Sequence, residues 1–292
     1  MARALAGVLA PDRLTVVVNV GDDDTMYGAY VSADLDTVSY TLAGIQGPHG
    51  WGMEGDTFHV MDEMSRRGID TSFRLGDRDL ATCLYRTASL EAGRPLSEVT
   101  AAITQGLGVA TRVMPATDDR LRTRVRIADG TWLAFQEYFV LRRNQDTVTE
   151  LEYAGAEAST PAPGVLDAIA RADLVVIAPS NPPLSIWPIL AVPGIMAAVA
   201  GKERVVAVSP LFGGKALKGP ADRVMASLGL AAGTAGILEA YDGLLSKLVV
   251  DRTDAADTTL SRTGTEVLAA DTRITEPEAG YRFARWLLGS YA

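Results

Sequence analysis

The sequence predicts an α/β fold: a Rossmann-like, doubly wound, mostly parallel sheet carrying a helical and antiparallel insertion. Three observations predict it. Continuous β-branched runs recur at LTVVVNV (Leu14 to Val20), at LVVIAPSN after Ala172-Asp173, and at RVVAVSPLFGG (Arg204 to Gly214). Each stops at Gly, Asp, Pro, Ser or Asn, as strands buried on both faces do when they feed a loop. Helical patterns separate the runs, so crossovers cover both faces of the sheet. Between the first and second runs the pattern changes to alternation, as in TRVRIADGTWLAFQEYFVLRR, where Asp129-Gly130 suits a hairpin turn.

In chain order, MARALAGVL is helical, and the first strand ends in the acidic turn Gly21-Asp22-Asp23-Asp24. Residues 55 to 67 (GDTFHVMDEMSRR) and 79 to 106 repeat Leu, Ala, Met and Arg at spacings of three and four, with a helix start at Ser97 three residues before Thr100. Alternation runs from about Thr111 to Val148. PAPG (161 to 164) then marks a return to the core ahead of the helix VLDAIARA. The expected division is a Rossmann-like core of residues 1–50 and 165–292 with a subdomain, 51–164, inserted in it. A chain of 292 residues is long enough to bury a substantial core in this arrangement.

Composition removes several function classes. One cysteine, Cys83, excludes an intramolecular disulfide framework and any site built on several thiolates, and fits a reducing compartment. Two histidines, His49 and His59, leave little for a histidine-rich metal site or relay, so a metal would sit on carboxylates, which favours magnesium. A net charge of −9 argues against a nucleic-acid surface. No uninterrupted apolar stretch of about 18 residues occurs, and the N-terminus lacks a long apolar core and a cleavage site. The protein is expected to be soluble and cytoplasmic, without membrane or nucleic-acid partners.

Ligands of open α/β sheets bind outside the carboxyl ends of the strands, where loops present backbone N–H groups. At the first strand end, Asp34 and Asp36 in VSADLDTVSY lie two residues apart. On an extended segment they would face one way and, with Asp22 and Asp23, bind a divalent cation. A solvated turn at Asp22 to Asp24 with Asp34 as a helix cap remains open as the alternative. At the second, Ser180 and Asn181 between two prolines suit phosphate oxygens or a base edge; a self-bonded β-turn is the competing reading. At the third, Gly213-Gly214-Lys215, continuing to Lys218, lets the backbone approach an anion, although the spacing is not that of a P-loop.

Arg74-Leu75-Gly76-Asp77-Arg78-Asp79 sets charges around a glycine before a helix; Asp79 suits a cap, and the arginines suit an anion clamp or local pairing. Phe135-Gln136-Glu137-Tyr138 reads as cross-strand packing. Cys83 reads as a small core residue rather than a nucleophile, and His59 as surface or packing.

Taken in order, VVVNVGDD, VSADLDTVSYTLAG, LGDRDLAT, MPATDD, FQEYFV, APSNPPLSI, PILAVPGI, VAVSP and GGKALKGP resemble the 2-phospho-L-lactate transferase family and its actinobacterial phosphoenolpyruvate-using relatives. The resemblance spans about residues 14 to 220. It implies attack on a guanylyl diphosphate diester of a three-carbon acid by the ribityl hydroxyl of the deazaflavin Fo, with release of GMP, in coenzyme F(420) biosynthesis. It implies Mg2+ as cofactor and a homodimer. On the same ground Asp23, Asp34 and Asp36 would hold the metal or orient the hydroxyl, Asp36 and Arg74 would contact the deazaflavin, and Ser180 and Asn181 would lie in the nucleotide-side loop. Asp77, Arg78, Gly213, Gly214 and Lys215 would lie near the phosphates. A regulator of the gluconeogenesis-factor type that binds nucleotide sugars, and a homologue that binds deazaflavin without turnover, are the competing functions.

The chain departs from the family pattern at several points. Cys83 stands where the pattern has His, Trp187 where it has Gly, and Met196 where it has Arg; Trp187 is expected to narrow the pocket. The pattern also opens with a strand and a glycine-rich turn, GGTGG-x-K, ahead of the first helix, whereas this sequence opens at MARALAGVL. A central strand and its phosphate loop are therefore expected upstream, through a start assigned too late or a trimmed chain.

Overall fold

In the computed structural model, residues 1–48, 50–260 and 264–291 are described. The chain opens with α1 (Ala2–Ala6), then β1 (Thr15–Val18) and a hairpin of β2 (Asp24–Met26) and β3 (Ala29–Val31). Four helices follow: α2 (Ala33–Ala43), α3 (His59–Arg66), α4 (Asp77–Glu91) and α5 (Leu96–Gly106). Next come β4 (Arg112–Pro115), β5 (Arg122–Ile127), β6 (Trp132–Ala134) and β7 (Val148–Ala154). The C-terminal half alternates α6 (Val165–Arg171), β8 (Val175–Ile177), α7 (Trp187–Leu190), α8 (Ile195–Ala200) and β9 (Val205–Val208). A hairpin, β10 (Leu211–Phe212) with β11 (Lys215–Ala216), leads to α9 (Ala221–Ser227) and α10 (Gly233–Ala240). The last elements are β12 (Lys247–Asp251), β13 (Glu266–Ala270) and α11 (Pro277–Gly289).

The apolar runs form parallel strands because each side chain is covered from one face or the other. All four residues of β9 are buried, and β9 sits inside a parallel sheet of order β13-β12-β9-β8. β1 pairs in parallel with β4, Val16 opposite Val113. No ladder joins these two groups among the described residues, yet Val18, Val113, Ile177, Val205 and Leu248 share one core. This is the α/β class expected. Within residues 51–164, β4 and α5 contribute Val113, Met114 and Leu96 to that core. The antiparallel sheet β6-β5-β7 closes a second cluster with Leu184 and Val224.

Two local expectations change. Asp34 and Asp36 lie on α2, not on an extended segment. At about 100° per residue, positions two apart point to nearly opposite sides of a helix, so the two carboxylates diverge. The FQEYF segment, read as a strand, instead leaves β6 and winds as a wide turn over Glu137–Leu141, in which the Arg142 N–H donates to the Glu137 carbonyl at 2.9 Å. Burial overrides the alternation: Phe135 stacks on Phe139 at 5.3 Å while Tyr138 enters the core. Asp129-Gly130 does turn the β5–β6 hairpin, with Gly130 at φ +88°.

Candidate active site

A cavity of about 840 Å³ lies where the parallel strands end. Asp22 after β1, Pro179, Ser180 and Asn181 after β8, Pro210 and Phe212 after β9, and Thr272 after β13 all line it. α2 adds Asp34 and Asp36, the approach to α4 adds Phe73 and Arg74, α4 itself adds Asp79, and the wide turn adds Gln136, Phe139 and Val140. The cavity is thus a carboxylate-lined floor beneath an apolar wall that Phe135, Phe139, Leu184 and Leu217 extend.

The acidic end is built around Asp22 and Asp34. Asn19 donates to Asp34 at 3.1 Å and accepts from the Gly21 N–H at 2.7 Å, so it ties the β1 turn to α2. Burial, then Asp34 and also Asp23, push the Asp22 carboxyl well above the usual carboxylate range, with Asn19 opposing. Asp34 is raised too, chiefly by burial. Asp22 Oδ1 is buried without a hydrogen-bond partner. A buried and a half-buried carboxylate, the second raising the first and the first keeping an unused oxygen, fit a divalent cation on oxygen ligands.

Asp23 faces away from this cavity. Ser32 and Tyr30 donate their hydroxyls to it at 2.7 and 2.9 Å, and burial pushes it up to about 7 against their pull and that of Arg122. Asp36 lines the cavity and pairs with the buried Arg86 guanidinium. Its Oδ2 is buried and unpartnered. Burial alone would depress Arg86, but Asp36 more than offsets this and holds the guanidinium charged. Asp79, which accepts from the Tyr40 hydroxyl at 2.8 Å, is pushed up to about 6 by burial and by Asp36.

The remaining candidates separate into two groups. Arg74, Ser180 and Asn181 line the cavity; Arg74 also pairs with Asp62 at 3.1 Å, and Asn181 Nδ2 is buried and unpartnered. Asp77 and Arg78 do not line it. The Asp77 carboxylate accepts from the His59 and Val60 N–H groups, both at 3.0 Å, which caps α3. Asp56, not Asp79, caps α4, accepting from the N–H groups of Arg78 and Asp79. Gly213 and Gly214 form the β10–β11 turn at φ +59° and +74°, where left-handed backbone requires glycine. The Gly213 N–H is donated to Asp254 at 2.9 Å, and the lysine lining the cavity is Lys218 rather than Lys215.

Trp187 is outside the cavity lining as well. Its Nε1–H donates to the Ala240 carbonyl at 3.0 Å, so the ring anchors α10 instead of narrowing the pocket. Cys83 is fully buried among Leu80, Met61 and Leu75, and burial pushes its thiol up. Met196 is exposed, and His49 lies outside the described residues. Sequence reasoning missed Gln136 and Asp79 as cavity residues, and chose Asp23 over its neighbour Asp22; no local signal distinguishes those two.

The family model described as 2-phospho-L-lactate transferase CofD matches residues 1–282. The chain belongs to this family. Among its relatives, the phosphoenolpyruvate transferase of Streptomyces coelicolor is 42% identical over 295 residues, covering 97% of this chain and 92% of that one. The phosphoenolpyruvate transferase of Thermobifida fusca is 42% identical over 275 residues, 92% of this chain and 84% of that one. A crystal structure of a UPF0052-family protein from Bacillus halodurans superposes with a TM-score of 0.62 over 98% of this chain and 94% of that chain. At 15% identity that likeness speaks for the fold alone. Family and relatives together make the chain a transferase of coenzyme F(420) biosynthesis. Among the described residues, no helix is long and apolar enough to cross a membrane.

Proposed function

We propose that the chain moves enolpyruvyl phosphate from its guanylyl diphosphate diester to the ribityl hydroxyl of Fo and releases GMP. The observation that carries this reading is the cavity's division between a carboxylate pair and an apolar wall, which suits a phosphoryl centre beside planar rings. In the reaction, the ribityl oxygen bonds to the phosphorus bearing the three-carbon acid. The bond from that phosphorus to the bridging oxygen breaks, GMP takes the bonding electrons, and the hydroxyl proton passes to a carboxylate. Asp36, whose Oδ2 is unpartnered, is the acceptor aimed at the hydroxyl. Arg74 lies on the deazaflavin side, while Ser180 and Asn181 hold the nucleotide side. Lys218 supplies positive charge to the diphosphate.

Mg2+ completes this reading. Asp22 and Asp34 fit it best, because both line the cavity and Asp22 keeps an oxygen without a partner, whereas Asp23 is engaged by Ser32 and Tyr30 and Asp36 by Arg86. When bound, the ion neutralises phosphate charge and helps orient the diester. The relatives' shared name favours enolpyruvyl over lactyl phosphate. A cytoplasmic homodimer is part of the same proposal, on family likeness. Incubation with Fo, Mg2+ and a freshly made enolpyruvyl guanylyl diester is expected to release GMP only when Fo is present. Fo binding without GMP release would sink the reading.

A further inference from the structure

Three successive carbonyls fix the acidic turn after β1. The Val20 carbonyl accepts from the Asp23 N–H at 3.3 Å, and the Gly21 carbonyl accepts from the Thr123 N–H at 2.7 Å. The third, that of Asp22 itself, accepts from Gln136 Nε2 at 2.7 Å, across 114 positions of sequence. Gln136 is only 3% exposed, and it stands in the cavity wall beside Phe135, Phe139 and Val140. One side-chain amide therefore joins the apolar wall to the carboxylate floor.

We propose that Gln136 is a positioning residue for the cation-binding pair: by gripping the Asp22 carbonyl it keeps the Asp22 carboxylate facing Asp34. The inference rests on the metal reading given above. Its physical basis is geometric: a buried amide anchored in the wall fixes the Asp22 peptide, and without it the turn keeps its bonds at Val20 and Gly21 while the Asp22 peptide can rotate and carry its side chain away from Asp34. Oriented partners of metal ligands counter such relaxation, and their loss typically lowers metal affinity by about 10–100-fold. A hydrogen bond to the main chain does this without sharing the negative charge that the cation needs.

The test is Mn2+ binding to the full chain without substrates, read from the paramagnetic resonance of free Mn2+. Wild type is expected to bind, and Asp22→Asn and Asp34→Asn to abolish binding. Gln136→Met, matched in length but with no N–H donor, is expected to weaken binding by about 10–100-fold while near-UV circular dichroism stays that of the wild type. If Gln136→Met does not fold, Gln136→Asn carries the comparison, because it keeps the amide but is one methylene too short to reach the carbonyl. Unchanged Mn2+ affinity in the folded Gln136 variant overturns the proposal and leaves the carboxylate pair standing. No binding by wild type, or binding untouched by Asp22→Asn and Asp34→Asn, overturns the metal reading and this proposal with it.

Discussion

Arg86 is 1% exposed, donates to Asp36 and to the Tyr30 carbonyl, and is the buried cation beneath a floor of carboxylates. Removing one member of a buried pair leaves the other desolvated and uncompensated, typically a loss of about 3–5 kcal/mol. Arg86→Met is therefore expected to lower unfolding free energy by roughly that amount in urea titrations. A loss below about 1 kcal/mol, the range of exposed pairs, would contradict this account of the floor. Nothing in TCLYRTASL distinguishes Arg86 from a surface arginine; only the packing of α4 under β3 buries it. The same limit applies to Asp22 and Asp23. The string GDDD announces an acidic site, but which carboxylate enters the cavity depends on how the turn is pinned by β5 and by Gln136.

Among the elements, α3 and α4 cap one another. Asp56, just before α3, holds the first N–H groups of α4, and Asp77, opening α4, holds those of α3. Side-chain caps typically contribute about 1 kcal/mol, so Asp56→Ala is expected to lower Tm modestly. Asp77→Ala should also lower Tm while leaving the KM for the guanylyl diester unchanged. A several-fold rise in that KM with Tm intact would return Asp77 to the phosphate site that sequence resemblance implied. Helix positions themselves were legible: residues 55 to 67 enclose α3, and 79 to 106 cover α5 and all of α4 but its first two residues, since periodicity is a local property. The wide turn at Glu137–Leu141 was not legible, because its alternating apolar residues fit a strand equally well until Phe135, Phe139 and Tyr138 find their tertiary partners.

For the whole molecule, buried carboxylates set the response to pH. Asp79, about 6 when folded against an ordinary value of 3.8, keeps its proton longer in the folded state than in the unfolded one. Its contribution is present in full below about pH 4 and is lost as pH rises through about 6, by on the order of 3 kcal/mol. Asp23, at about 7, acts in the same direction. Asp79→Asn retains an acceptor for Tyr40 but cannot ionise. Relative to wild type without metal, its Tm is expected to be higher at pH 8 than at pH 5. An equal difference at both pH values would mean that Asp79 does not titrate in this window.

The sequence by itself determined the α/β class, the three strand ends that meet at the cavity and the family, because apolar runs, loop residues and ordered strings are written locally along the chain. It also marked Asp34, Asp36, Arg74, Ser180 and Asn181, all of which line the cavity. Only the tertiary structure decided that Asp22 faces Asp34, that Arg86 neutralises Asp36, that Trp187 anchors α10, and that Gln136 reaches the acidic turn across 114 positions. Burial and the direction of a side chain depend on what distant segments pack against it, and a one-dimensional pattern does not contain that information.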